Sequence, residues 1–237
     1  MDLKNRVVLV TGAGRGIGRA LSLAFARRGS HIALMGTTKK HLLNVQKEIK
    51  PLDVRTAVLE GDVAEEGIVA RCVSAAEQQL GPIDVLVNNA GIFAAGPIDR
   101  LDTVLFDRIL AVNLRGPFLM VRFVLPGMKI RRFGHIVNIS STAGKRGFSG
   151  GAAYCASKFG LAGLSEAMLY EARPFDVRVS CVYPSTVNTE LVARSGLLTK
   201  DPGKAIQPED VAEAVVSLVS LEGRAMVTGL EMWQTNP

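Results

Sequence analysis

The sequence is poor in the residues that build metal centres and covalent frameworks. Among 237 residues there are three histidines and three cysteines. Cys72, Cys155 and Cys181 lie far apart with no CxxC pair. That argues against a disulfide framework and a zinc site, and fits a reducing, cytoplasmic setting. Aromatic residues make up 5% and tryptophan occurs once, with no aromatic-and-basic motif of the kind RNA-binding sheets carry. No uninterrupted apolar run approaches the roughly 18 residues of a membrane-spanning helix. The opening MDLKNRVVLVTG has no secretory hydrophobic region and enters a strand at once. Acidic residues are missing altogether from 19 to 47.

What is there reads as one globular unit. With 48% hydrophobic residues, 21% charged residues and no low-complexity tract, the chain can bury a core without staples. The formal net charge is +6, and the basic residues are scattered, with small clusters at Arg27-Arg28, Lys39-Lys40 and Arg131-Arg132. A solvated surface accounts for them. The competing reading is a polyanionic cofactor or an acidic carrier. Neither a nucleic acid nor a membrane is expected as a partner.

Apolar β-branched runs alternate with helical patterns. Strands are expected over 6–10, 31–35, 54–59, 83–87, 135–140, 177–182 and 226–230. Helices are expected over 16–28, 38–50, 65–80, 152–172 and 208–220, with one long helix or two over 101–130. Near-continuous apolar strands such as VVLV suit a parallel sheet covered on both faces. Right-handed crossovers then give an α/β fold, a doubly wound parallel sheet in three αβα layers. No linker or composition break divides the chain, so residues 1–237 form a single domain. The stretch 185–207 holds no confident strand, and a segment of that length in a compact domain reads as a substrate lid.

Thr11-Gly12-Ala13-Gly14-Arg15-Gly16-Ile17-Gly18 joins the first strand to the first helix. The spacing is Gly12-x-x-x-Gly16-x-Gly18. A tight turn without side chains lets backbone N–H groups and a helix N-terminus face a pyrophosphate. A purely structural glycine turn is the alternative, and its position after the first strand of a βαβ repeat disfavours it. The second strand ends in Gly36-Thr37-Thr38-Lys39-Lys40, where an NAD site often carries an acid for the ribose diol. Hydroxyls and ammonium groups there, with Arg15 in the turn, would instead bind a 2′-phosphate. The expectation is NADP(H) in preference to NAD(H); an exposed helix start would also explain Lys39 and Lys40.

Tyr154 and Lys158 are spaced i, i+4 and share one face of the expected helix 152–172. A tyrosine near pKa 10 exchanges protons poorly at neutral pH. A neighbouring ammonium stabilises phenolate and would lower that pKa, making an acid/base for a carbonyl–alcohol couple. YxxxK alone is a weak signal. Its company strengthens it: Ser140-Ser141 thirteen residues upstream of Tyr154, Asn88-Asn89-Ala90-Gly91 after the fourth strand, Asn113, and Pro184-Ser185-Thr186-Val187-Asn188-Thr189 after the sixth. These points lie beyond the C-terminal ends of parallel strands, where doubly wound sheets bind ligands.

From about residue 4 to 229 the chain resembles the short-chain dehydrogenase/reductase family in its single-domain Rossmann form. Its closest likeness is to bacterial 3-oxoacyl-(acyl-carrier-protein) reductases. TGAGRGIG, NNAG, the asparagine of VNL, the serine before YxxxK and the PxxVxT segment stand in the family's order. The resemblance implies an oxidoreductase transferring a hydride between the nicotinamide and a ketone or secondary alcohol, a 3-oxoacyl thioester among the candidates. It implies Tyr154 as the acid/base, with Lys158 lowering its pKa and binding the nicotinamide ribose. Ser141, rather than its neighbour Ser140, would hold the substrate oxygen, and Asn113 a proton-relay water. Gly12, Gly14, Arg15, Gly16, Ile17, Gly18, Gly36, Thr37, Thr38 and Lys39 would bind the adenosine and pyrophosphate side. Asp62 and Val63 would lie by the adenine, and Asn89, Ala90 and Gly91 along the cofactor. Pro184, Ser185, Val187 and Thr189 would complete the nicotinamide end. The chain departs from the family pattern at Ser185, where glycine is usual, and at its VTGLEMWQTNP tail. Arg132 stands where a carrier-protein contact is expected; a second basic residue near Phe175 is missing, with Arg173 close by. Helices 101–130 and 152–172 are more apolar than one sheet-facing stripe needs, at Phe118, Leu119, Phe123, Leu161, Leu164 and Met168. They resemble the pair buried between subunits in relatives, which implies a homotetramer, with a dimer as runner-up and simple core packing as the alternative. A catalytically silent NADP(H) sensor on the same scaffold is the competing function; the complete Asn113, Ser141, Tyr154, Lys158 set argues against it.

Overall fold

The computed structural model describes residues 1–190, 192 and 202–235. Seven parallel strands form one sheet in the order β3-β2-β1-β4-β5-β6-β7. They are β1 Val7–Thr11, β2 His31–Gly36, β3 Thr56–Glu60, β4 Val85–Asn88, β5 Gly134–Ile139, β6 Val177–Pro184 and β7 Gly229–Met232. The helices are α1 Gly16–Arg27, α2 Lys39–Ile49, α3 Glu66–Leu80, α4 Thr103–Leu110, α5 Gly116–Arg131, α6 Ala152–Ala172 and α7 Pro208–Ser220. Strand order reverses between β1 and β4, the place where a doubly wound sheet opens a crevice at its C-terminal edge.

The central strands β1, β4, β5 and β6 are buried at every residue, including the polar His135, Asn138, Arg178 and Ser180. The outer strand β3 alternates instead, with Ala57 and Leu59 inward. One core cluster packs α1, α2 and α7 on one face, with Phe25, Leu21 and Val215 at its centre. The other packs α3 and α5 on the opposite face through Val69, Leu119, Val124 and Met128. The three cysteines are free and buried.

The expected 101–130 helix is two helices, joined by a π-helical turn at Ala111–Arg115. Pro126 sits inside α5, yet the helix continues to Arg131. The continuous helical run Thr103–Arg131 has the length and mean hydropathy of a spanning helix, although its sequence holds no uninterrupted apolar stretch of that length. More than half of its most apolar window is buried within this fold, against the sheet and α3. The last strand starts three residues later than the 226–230 expected from the sequence, and β3 two residues later than expected.

Ser185 does not require glycine-like backbone. It lies outside the left-handed region, and its N–H donates to Met232 O at 2.9 Å, so a side chain is accommodated. Much of the expected lid, at 191 and 193–201, lies outside the described residues. Its two ends meet: Val187 bridges to Ile206, and Asn188 N donates to Ile206 O at 2.8 Å.

Candidate active site

The glycine turn is built by steric exclusion. Gly12 has φ +65° and Gly16 φ +51°, both in the left-handed region that favours glycine. A Cβ on Gly18 would lie 2.1 Å from Gly12 O, and one on Gly12 would lie 2.9 Å from Ala90 Cα. The first strand therefore hands over to α1 with its backbone pressed against the loop after β4. Thr11 and Asn89 fasten that junction. Thr11 Oγ1 accepts from Asn89 N and Ala90 N at 3.0 Å each, and Asn89 Nδ2 donates to Thr11 O at 2.9 Å. No side chain caps α1 and no acid occupies its first turn. Its N-terminal N–H groups and dipole thus suit an anion.

A cleft of about 330 Å³ runs from this turn along the sheet edge. Its lining joins most of the sequence-expected residues: Gly12, Gly14, Arg15, Gly16 and Ile17 at the turn, Gly36, Thr37 and Thr38 after β2, Asp62 and Val63, Asn89, Ala90 and Gly91, then Thr189, Tyr154 and Lys158. Gly18 lies beneath the turn as packing. Lys39, Asn113, Ser141, Pro184, Ser185 and Val187 do not line the cleft. His41, Arg108 and Glu190 line it and were not foreseen.

Acids from other elements change the charge balance at the end of the cleft that follows β2. The stretch without acids in sequence is not without acids in space. Glu60, at the end of β3, accepts from Lys39 N at 3.4 Å. Glu190 pairs with Arg15 at 3.0 Å. Asp62 Oδ1 accepts from Ala64 N at 2.9 Å, and its Oδ2 takes the Arg108 guanidinium. His41 packs against Gly14, where an added Cβ would lie 2.8 Å from His41 Cβ.

At the other end, α6 presents Tyr154 and Lys158 as the i, i+4 spacing predicts. Ser141, two residues beyond β5, opens the short 3₁₀ turn Thr142–Gly144, its Oγ accepting from Ala143 N at 3.1 Å. Gly144 lets that turn lie on α6; a Cβ there would be 2.7 Å from Lys158 O. This close approach brings the Ser141 hydroxyl near enough to the Tyr154 phenol to favour its ionised form. Ser140 instead donates to Lys158 O at 3.3 Å, a bond that fixes the helix.

Lys158 is buried, donates to Ile139 O at 2.9 Å, and lies 5.7 Å from the Tyr154 ring centre. Burial pushes the Tyr154 phenol up to about 12, opposed by the nearby Ser141 hydroxyl. Burial also holds the Lys158 ammonium down to about 8. The expected lowering of the tyrosine by the lysine is therefore not found: desolvation dominates, and the phenol is a protonated donor at neutral pH.

Asn113 sits in the π-helical turn, fully buried. Its side chain donates to Ile92 O at 2.9 Å and accepts from Ile92 N at 2.8 Å. It also donates to Ser157 Oγ at 3.1 Å, and Ser157 Oγ donates to Tyr154 O at 2.7 Å. The asparagine thus ties the loop after β4 to the first turn of α6. A Cβ on Gly91 would lie 3.4 Å from Asn113 Oδ1 and 3.8 Å from Lys158 Nζ. Ser157 is a positioning residue that sequence reasoning missed; its only signal is a serine inside a helix one residue before Lys158.

The arrangement can cradle a dinucleotide along the cleft and set a hydroxyl pair, Ser141 and Tyr154, beside its far end. A family model described as short chain dehydrogenase matches residues 6–197. The 2-(S)-hydroxypropyl-CoM dehydrogenase 3 of Xanthobacter autotrophicus is 36% identical over 244 residues, covering 96% of this chain and 94% of that protein. The 3-oxoacyl-(acyl-carrier-protein) reductase of Thermotoga maritima is 34% identical over 236 residues, with coverage of 97% and 96%. Among solved structures, a metagenomic short-chain oxidoreductase in complex with NADP superposes with a TM-score of 0.85 at 32% identity, covering 98% of this chain and 99% of that one. An NAD⁺-bound xylitol dehydrogenase superposes with a TM-score of 0.89 at 26% identity, with coverage of 99% and 100%.

Proposed function

The chain belongs to the short-chain dehydrogenase family and is an oxidoreductase of the CH–OH/C=O couple, and from that premise we propose that it reduces a ketone, or oxidises the matching secondary alcohol, with NADP(H) in preference to NAD(H). The observation that carries this reading is Tyr154 set beside buried Lys158 at the end of a glycine-floored cleft. The residues fit a dinucleotide: left-handed glycines, an uncapped helix N-terminus and a floor in which side chains would collide.

When bound, the nicotinamide supplies or receives the hydride. The chain's own residues handle the proton and the oxygen. In reduction, Ser141 Oγ donates a hydrogen bond to the carbonyl oxygen, and Tyr154 Oη gives that oxygen its proton. The charge left on the phenolate is offset by the Lys158 ammonium, which is present below about pH 8. Lys158 Nζ also binds the nicotinamide ribose. Asn113 fixes the loop and α6 so that the hydroxyl pair and the lysine hold their spacing. The side chain of Asn113 is used by Ile92 and Ser157, so a relay water would rest on its main-chain carbonyl.

Arg15, Thr37, Thr38, Lys39 and His41 favour the 2′-phosphate. Glu190 stands as the competitor for Arg15, so phosphate binding exchanges one anionic partner for another. Pro184, Ser185, Val187 and Thr189 flank the nicotinamide end, and 185–207 serves as the substrate lid of a single domain. A 3-oxoacyl thioester on an acyl carrier protein is the candidate substrate drawn from the Thermotoga relative. Arg132, its expected contact, pairs with Asp176 at 2.7 Å and is exposed. The apolar hollow formed by Leu110, Ala111, Leu114, Phe118 and Leu164 supports a homotetramer, with a dimer as runner-up. A cytoplasmic location accords with three free cysteines.

The test is oxidation of NADPH and of NADH, followed in the near ultraviolet, against β-keto esters, cyclic diketones and simple ketones. Turnover with NADPH above that with NADH is the expected result. Tight NADPH binding with no oxidation by any carbonyl would favour the silent sensor, and faster NADH oxidation would reverse the cofactor preference.

A further inference from the structure

Two loops meet above the Tyr154 phenol, and each brings a phenylalanine. Phe93 follows the Asn89–Gly91 segment and meets the Tyr154 ring edge-on, with centres 5.0 Å apart. Phe148 precedes α6 and stacks with Phe93, centres 6.4 Å apart and planes 17° from parallel. The loops are fastened by Gly96 N donating to Gly150 O at 2.9 Å. Glycine makes the seat: Gly150 has φ +77°, and a Cβ on Gly151 would stand 2.4 Å from the Phe148 ring. The ring therefore rests on the backbone at the N-terminus of the helix that carries Tyr154.

The cations of the same loop are drawn away from this wall. Lys145 Nζ pairs with Glu231 at 2.5 Å and lies 4.4 Å from the Tyr183 ring centre. Arg146 approaches Glu231 at 3.7 Å and covers Trp233 at 5.2 Å. Glu231 and Trp233 belong to the tail that departs from the family pattern. Phe148 is left as the loop's exposed apolar side chain, 39% accessible, one ring removed from Tyr154 through Phe93. Nothing in the mechanism uses either phenylalanine.

We propose that Phe93 and Phe148 form an aromatic wall that selects carbonyl compounds carrying a flat ring next to the reacting C=O over linear acyl chains. This rests on the reading of Ser141 and Tyr154 as the carbonyl site. A flat ring gains offset-stacking attraction on such a wall beyond its buried area. A linear chain buries similar area but loses more rotational freedom in lying flat.

The experiment uses the full chain with NADP(H), comparing wild type with Phe148→Leu and Phe93→Leu, which keep apolar bulk and remove the flat face. Two quantities are read: the ratio of kcat/KM for an aryl ketone to that for a linear 3-oxo ester, and the Kd of the aryl ketone by calorimetry with NADP⁺ present. The wall predicts that wild type favours the ring ketone. It also predicts that the ratio falls about tenfold in each leucine variant, with ring-ketone affinity falling in parallel. An unchanged ratio in both variants, or a wild type that favours the linear ester, overturns the wall while leaving the carbonyl reading intact. If no carbonyl is turned over, that reading fails, and the calorimetry still decides the wall: weakened ring binding in the variants upholds it, and unaltered binding overturns it.

Discussion

At the scale of single residues, burial and hydrogen bonding set the chemistry more than charge does. Tyr154→Phe keeps the ring against Phe93 and removes the donor. It is expected to lower kcat about a thousandfold while dinucleotide affinity by calorimetry is retained, since general acid catalysis commonly contributes on that order. Lys158 loses its proton as pH rises through about 8. The kcat/KM for reduction should therefore fall across that range, read as a pH–rate profile in wild type. His135 is a second buried titratable group, far from solvent on β5. Its Nε2 meets Ser180 Oγ at 2.8 Å, and Ser180 Oγ in turn donates to Val227 O at 2.5 Å. The ring therefore donates from Nε2, and Nδ1 has no hydrogen-bond partner among the described residues. Burial holds the imidazole down to about 3, so the fold keeps it neutral. The unfolded chain binds the extra proton below about pH 6.5, so stability is complete above that value and is lost as pH falls towards 3. From this group alone, urea unfolding at pH 5 should report about 2 kcal/mol less stability than at pH 7.5. His135→Asn should flatten that dependence. The i, i+4 pairing of Tyr154 with Lys158 was legible in the sequence; the direction of the tyrosine's shift was not. It depends on how deeply the phenol is covered and on Nζ turning to Ile139 O.

At the scale of elements, the glycine turn is the segment whose sequence most tightly dictates its shape. Gly12, Gly16 and Gly18 each answer a steric demand, and Gly18 the most severe. Gly18→Ala should force the turn open, costing on the order of 1–3 kcal/mol by thermal unfolding, with NADPH binding lost in calorimetry. Strand and helix order was legible because β1 and β4 are short apolar β-branched runs and β5 and β6 each carry β-branched apolar residues, while the helices repeat at their own period. Over 101–130 the sequence left one helix or two open, and the place of the break was not legible. The π-helical turn places Asn113 against Ile92, in a different loop, and no local pattern in Ala111–Arg115 announces that partner.

At the scale of the whole molecule, the reversal of strand order between β1 and β4 brings together pieces separated by more than a hundred residues. The remaining outer surface carries apolar groups the monomer does not cover. Phe118 on α5 is 43% exposed beside the hollow of Leu110, Leu114 and Leu164. Phe118→Glu should place a charge in that hollow and shift the assembly to lower mass by light scattering, with the far-ultraviolet dichroism of the fold unchanged. A wild-type chain that is monomeric at all concentrations would remove the assembly proposal.

The amino-acid order by itself determined the α/β architecture, the glycine cradle and the tyrosine–lysine pair, because each is written in neighbouring residues through periodicity, missing side chains or helical spacing. Only the tertiary structure decided which acids stand near the glycine turn and the end of β2. Glu60 and Glu190 come from distant elements, and a carboxylate's field acts through space without regard to chain position. It likewise decided that Tyr154 is held protonated and roofed by Phe93, since desolvation is a property of everything packed around a group.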